Sequence, residues 1–387
     1  MKLDTIQLLR GLAALAVTLY HLPLAEQAAI DLAGSEETAA LGWLTRNGFA
    51  GVDVFFVISG FIMVYVTRAR PRGARSAADF LAARVIRIYP LWWVFAAAAV
   101  AISLAATRSP VQPAFGVPEE AIPAYLAASF ALVPQDFPPV LNVGWTLIHE
   151  MYFYLVFAAL LLAPQRLLPM AIAAWAAVVV LAATVFGELT ASSAVTALVF
   201  HPLTLEFTAG AAAALLIASG VKRFALPAAL AGGGALALAM IAADGVGHGG
   251  WSRALLFGAP ATLLIYGLAA MELDKPRAIA RPLVFLGDAS YALYLAHTLV
   301  FIIARRVQIE AGEALAGAGA PAALVRPFQL GAPGPWDNLV YWTLGLSGAL
   351  IAAAIAHLYV ERPALRGLTA VRLKAFPKAR RGAPGQW

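Results

Sequence analysis

Residues 6–22 read IQLLRGLAALAVTLYHL, an apolar run broken by Gln7, Arg10, Thr18 and His21. A helix needs roughly 20 predominantly apolar residues to cross a bilayer. Nine further runs of that character follow, near 48–67, 85–107, 145–163, 168–186, 197–218, 224–243, 251–271, 285–304 and 338–358. The composition agrees, with 61% hydrophobic and 12% charged residues, whereas a soluble domain carries about 25% charged residues. The expected fold is all-α, a polytopic transmembrane helix bundle of about ten spans.

Charge placement gives the orientation. A formal charge of +6 would suggest nucleic acid in a soluble protein, but here Lys and Arg alternate with the apolar runs and read as topology. With the amino terminus inside, 20 of the 27 basic residues fall on the cytoplasmic side and six outside, with Arg10 within the first span. Both termini are therefore expected in the cytoplasm, with residues 1–366 forming one membrane domain and 367–387 a basic cytoplasmic tail. The first run carries Arg10 and lacks a small-residue cleavage site before the acidic stretch 26–37, so it reads as a retained span rather than a signal peptide.

The two long loops, 108–144 and 305–337, contain proline and are expected outside. Within the first, 121–133 is apolar but too short to span, so it either lies on the interface or re-enters. The absence of cysteine excludes disulfides, thiol nucleophiles and iron–sulfur centres, and the six histidines are scattered without ligand spacing, so no metal is expected.

An ionisable group at membrane depth is costly unless paired or hydrated, so such residues mark candidate function. Arg10 and His21 are eleven residues apart, which places them within about 20° of each other on a helix and about 16.5 Å apart along it. Gln7, Gly11, Ala14 and Thr18 share that stripe and are small or polar enough to edge a passage. The competing reading has Arg10 snorkelling to the headgroups and His21 as an interfacial cap.

Other spans place comparable groups at similar depth. Asp53 and Ser59 lie in GVDVFFVISGF (51–61), and Glu150 lies in WTLIHEMYFY (145–154), about one and a half turns past Trp145 and one turn before Tyr154. Arg84 and Arg87, one turn apart in RVIRIYP (84–90) with Tyr89 beside them, form a guanidinium fork suited to phosphate oxygens. Arg at a helix end is also commonplace. Glu206 follows Pro202, which should kink its helix, and SYALYLAH (290–297) brings Ser290, Tyr294 and His297 near one face. These side chains read as walls of a polar cavity, or as interhelical hydrogen bonds. Glu361 and Pro363 are expected to end the last helix, with Glu361 pairing a cytoplasmic Arg.

Taken in order, LLRGLAALAVTLYH, GVDVFFVISGF, RVIRIYP, WTLIHEMYFY, LEFTAG, SYALYLAH and YVERP resemble the motif run of the acyltransferase-3 family, especially its stand-alone exopolysaccharide O-acetyltransferase members, over roughly 5–366. That resemblance implies transfer of an acyl group, usually acetyl, from cytoplasmic acyl-coenzyme A to a carbohydrate hydroxyl beyond the membrane. It implies His21 as the catalytic residue, Arg10 as its motif partner, and Arg84 with Arg87 as the donor-binding pair. The appended esterase-like domain of longer relatives is absent from the sequence, so transfer is expected to be completed by the membrane part or by another protein.

The expected mechanism runs the donor's pantetheine arm along the Arg10 to His21 stripe, with Gln7 and Tyr89 on the donor side. Ser59, Trp145, Tyr154, Glu206, Tyr294 and His297 are expected on the cavity or acceptor side. His21 acts as general base, or through an acyl-imidazole, with Asp53 or Glu150 orienting its ring. Tyr294, Ser59 or backbone near Gly60 is expected to steady the oxyanion. Acetyl-CoA or another acyl-CoA is expected as donor substrate, with no permanently bound cofactor. The expected partners are a carbohydrate, membrane lipid and other polysaccharide-synthesis proteins, but no nucleic acid, and the expected location is the cytoplasmic (inner) membrane. The competing classes are a transporter or flippase, which should show two related halves, and a non-enzymatic subunit of a polysaccharide export complex.

Overall fold

In lipid, backbone N–H and C=O groups have no water to bond, so long apolar runs must close their hydrogen bonds on themselves. The computed structural model follows that rule and describes residues 3–32, 34–39, 42–187, 192–243, 250–276, 278–332 and 334–377, which are helical with short connections and hold no strand. Among the described residues, ten helical stretches are long and apolar enough to cross a membrane.

The helices that matter here are α1 (Asp4–Leu32), α2 (Gly51–Thr67), α3 (Ala74–Thr107), α4 (Ile122–Ala131), α5 (Trp145–Leu160), α6 (Leu168–Phe186), α7 (Ala194–Val199), α8 (Leu203–Ala218), α9 (Ala225–Ala242), α10 (Ala259–Asp274), α11 (Arg281–Asp288), α12 (Ser290–Gly317), α13 (Trp336–Ala356) and α14 (Arg362–Ala375). Two π-helical turns, Ala254–Gly258 and His357–Glu361, lead into α10 and α14. The expected tail boundary at 366 falls inside α14, and 378–387 lie outside the described residues. Leu181, Val185, Leu230 and Leu238 are exposed, as a surface facing acyl chains requires.

Close packing is set by glycine at a few crossings. A Cβ on Gly60 would meet the Phe207 carbonyl oxygen, and one on Gly210 the Val57 carbonyl oxygen, so α2 and α8 touch backbone to backbone. A second seam joins α1 to α11, where Gly287 faces the Gln7 backbone and Gly11 faces the Gly287 backbone. The stripe of small residues on α1 is thus in part a packing seam, and Thr18 turns its hydroxyl back to the Ala14 carbonyl (2.9 Å). Near Gly60 the neighbour is helix α8, so the backbone expected to steady an oxyanion there is spent on packing.

Distant side chains close the helix ends. The Glu272 carboxylate of α10 accepts from the backbone N–H of Asp4 (2.7 Å) and Thr5 (2.9 Å), satisfying donors that the first turn of α1 leaves open. Pro202 does not kink a continuous helix: the span breaks into α7 and α8, and Pro202 precedes the first residue of α8.

The short apolar segment packs against α3. The last carbonyls of α4, at Ser129, Phe130 and Ala131, accept from Trp92 Nε1 (3.2 Å), Trp93 Nε1 (3.0 Å) and Tyr89 Oη (2.7 Å). Those donors lie near the middle of α3, so the end of α4 is held beside it, with aromatic N–H and O–H groups satisfying its last carbonyls. Gly144 also abuts the Trp92 ring.

Candidate active site

Two of the networks of charged side chains between the helices involve the residues singled out above. The first surrounds a cavity of about 120 Å³ whose walls include Arg10 of α1, Ser59 of α2, Arg84 and Arg87 of α3, and Glu150 and Tyr154 of α5, with Tyr294 of α12 at one side. Glu150 accepts from Ser59 Oγ (2.8 Å) and from Tyr154 Oη, so its charge is held by two hydroxyls. Arg84 lies over the Phe80 and Tyr154 rings, 5.5 and 5.7 Å from their centroids, and its Nε is buried without a protein partner. Arg87 donates to Glu361, whose other oxygen meets His357 Nδ1 (2.7 Å). Three guanidiniums thus converge on one small space.

The second network does not line that cavity. Arg253 and Asp53 are 1% and 0% exposed and bonded at 2.7 Å, with Glu206 of α8, also buried, in electrostatic reach of both. Arg253 also covers Trp145 and Phe49, 5.8 and 5.0 Å from their ring centroids. Glu206 packs on Gly258, within the π turn. His149 and His201 pack edge to face nearby, their centroids 4.8 Å apart.

His21 stands in a third place. His297 Nδ1 lies 3.1 Å from the Leu293 carbonyl, and only an N–H can meet that acceptor, so Nε2 of the neutral ring keeps the lone pair. That Nε2 is 3.1 Å from His21 Nδ1, which also faces the Val17 carbonyl at 3.0 Å. Two acceptors on one nitrogen place the proton on Nδ1, leaving Nε2 of neutral His21 as the basic nitrogen. His297 is fully buried and supports a more exposed His21.

Sequence-predicted residues therefore divide. Arg10, Arg84, Arg87, Glu150, Ser59, Tyr154 and Tyr294 meet at the cavity. Asp53, Glu206 and Trp145 belong to the Arg253 cluster. Tyr89 holds α4, and Gln7 lies at the α11 seam with Oε1 buried and unpartnered. The carboxylates expected to orient His21 are engaged by Arg253 and by Ser59 and Tyr154, and the ring facing His21 Nδ1 is His297.

Arg10 lines the cavity of about 120 Å³ and His21 does not. Between the cavity and His21 stand Tyr294 and His297, with ring centroids 6.0 Å apart, and Tyr294 Oη is bonded to Thr146 Oγ1 (2.8 Å) and the Val143 carbonyl (3.1 Å). Sequence reading missed the Arg253 cluster and the pairing of His297; the arginine expected beside Glu361 is Arg87, although the helix runs on through the π turn there instead of ending. The one local signal was His297 in SYALYLAH.

A ten-helix bundle with a basic internal cavity beside a paired histidine defines a membrane acyltransferase once its relatives are set beside it. The family model described as an acyltransferase domain matches residues 3–358, and the chain belongs to that acyltransferase-3 family. It is 34% identical over 349 residues to the exopolysaccharide production protein ExoZ of Rhizobium meliloti (strain 1021), covering 85% of this chain and 93% of the relative. It is 28% identical over 393 aligned positions to the acyltransferase MdmB of Streptomyces mycarofaciens, covering 94% of this chain and 92% of the relative. No solved structure matches it significantly. The protein is a multi-pass membrane acyltransferase.

Proposed function

We propose that the protein moves an acetyl or other short acyl group from acyl-coenzyme A to a hydroxyl of an extracytoplasmic carbohydrate, of the kind found in exopolysaccharide. In this reading it sits in the cytoplasmic membrane with both termini inside. The observation that carries it is the convergence of Arg10, Arg84 and Arg87 on one cavity, one layer of side chains away from the His21–His297 pair. Planar guanidiniums suit the donor's phosphates, and the similarity to an exopolysaccharide production protein supports a glycan acceptor.

The chemistry needs one base and no redox partner. The acceptor hydroxyl attacks the thioester carbonyl while His21 Nε2 takes its proton, a step worth 10²–10⁴-fold when the base is positioned. The tetrahedral intermediate then expels the thiolate, which takes that proton from His21. His297 accepts from Nδ1–H and so holds the ring in the required tautomer, the part expected of Asp53 or Glu150. For the thioester to reach His21, Tyr294 must release Thr146 or the donor must thread beside it.

The test uses full-length protein in nanodiscs with acetyl-coenzyme A and an acid-treated, de-acylated polysaccharide, following free thiol and carbohydrate-bound acetyl. Turnover that depends on the polysaccharide and disappears in His21→Ala is the expected result. Full turnover in His21→Ala overturns the mechanism, and absence of coenzyme A release by wild-type protein with any glycan overturns the activity.

A further inference from the structure

Glu361 links a residue of each of two cavities. Its Oε1 accepts from Arg87, which lines the transmembrane cavity, while its Oε2 meets Nδ1 of His357, which lines a second pocket of about 370 Å³. That second pocket lies between the start of α1, α11 and the π turn His357–Glu361, and Asp4, Arg281, Asp288 and Arg362 help form it. Glu361 itself is 2% exposed and stands in electrostatic reach of Arg10 as well. A buried carboxylate on a π turn, with one oxygen on a residue of each chamber, is placed to be exchanged. π-Helical turns recur at functional sites because the extra residue frees backbone from the regular ladder.

We infer that Glu361 is an internal anion held on Arg87 until the donor arrives, and that the outer pocket beside it docks the donor's phosphorylated nucleotide end. The inference rests on the acyl-coenzyme A reading above. The pocket's chemistry is mixed in the way a nucleotide needs: Arg281 and Arg362 can take phosphate oxygens, and Asp4 and Asp288 can accept from a base amino group or ribose hydroxyls. A diphosphate offers Arg87 and its neighbours the negative charge that Glu361 supplies in the closed state. Arrival of the donor would then free Glu361 and connect the pocket to the cavity. In an unliganded enzyme the same contact closes the path through the bundle.

The test measures binding of coenzyme A, of adenosine 3′,5′-bisphosphate and of phosphate-free pantetheine to the full-length protein in phosphatidylcholine nanodiscs. Glu361→Gln removes the competing charge and is expected to bind coenzyme A about tenfold tighter, the order of one charge-assisted hydrogen bond handed to the ligand, with pantetheine unchanged. Arg281→Gln/Arg362→Gln, at exposed positions, is expected to weaken adenosine 3′,5′-bisphosphate about tenfold by losing two such contacts. Should Glu361→Gln not be recovered folded, Glu361→Asp, which draws the carboxylate back by one methylene, is expected to tighten coenzyme A two- to threefold. Glu361 variants that bind coenzyme A no tighter than wild type overturn the internal-anion role while leaving the donor reading intact. Wild-type protein that binds no coenzyme A overturns both. Displacement of the bisphosphate by added phosphatidylglycerol overturns the nucleotide assignment and gives the pocket to lipid headgroups.

Discussion

Asp53, Arg253 and Glu206 are packed shut, whereas Arg10, Arg84, Arg87 and Glu150 stand around a cavity of about 120 Å³. Both groups use the same residue types, and both link several helices. The difference lies in what surrounds the charges. In the first, Trp145, Phe49 and Gly258 pack against the charged groups, and the guanidinium is bonded to the Asp53 carboxylate. In the second, aromatic rings orient Arg84 without quenching its charge. Under the proposed function, buried charge meets a substrate only where volume is left for another molecule.

The sharpest way to break that contrast is His21→Ala, for which coenzyme A release should fall 10²–10⁴-fold, the usual contribution of a positioned base, with unfolding temperature unchanged. Retained turnover would move the histidine pair to the structural side. Next, Arg253→Ala should lower stability by about 3–5 kcal/mol, because it leaves Asp53 buried and unpaired, while Arg84→Ala should unfold like wild type and lose donor affinity. Equal destabilisation by the two would erase the distinction between filled and open networks. This is read by thermal unfolding in detergent alongside coenzyme A binding.

Smaller effects sharpen the division within the open site. His297→Gln should lower kcat roughly fivefold and leave KM for the donor in place, as expected when one hydrogen bond of about 1 kcal/mol that positions the base is lost. A change confined to KM would instead put His297 against the donor. Ser59→Ala should cost only about two- to threefold in donor KM, since Tyr154 still donates to Glu150 and a single neutral donor contributes about 0.5 kcal/mol.

Much of this was open to reading in one dimension. The spans follow from hydropathy because lipid imposes helix on any apolar run of sufficient length, and Arg84 with Arg87 were legible as a fork because helical neighbours one turn apart share a face. An arginine partner for Glu361 was expected, but that it is Arg87 was not legible, nor were His21 with His297 and Arg253 with Asp53, since each pair joins residues at least 200 positions apart and no local rule links them. The stripe holding Gly11 shows the converse ambiguity. Small residues edge a passage and also let helices touch, and only the position of Gly287 decides that part of the stripe does the latter.

The backbone contact between Gly60 and Gly210 carries a lesson for evolution. Neither glycine lines the cavity, yet a methyl group at either would drive a carbonyl away and shift Ser59 and Glu206 on the same helices. Both sites should therefore remain frozen across relatives that use different acyl groups and different sugars. A survey of invariant positions would rank them beside the histidine, for a reason of clearance and not of reactivity.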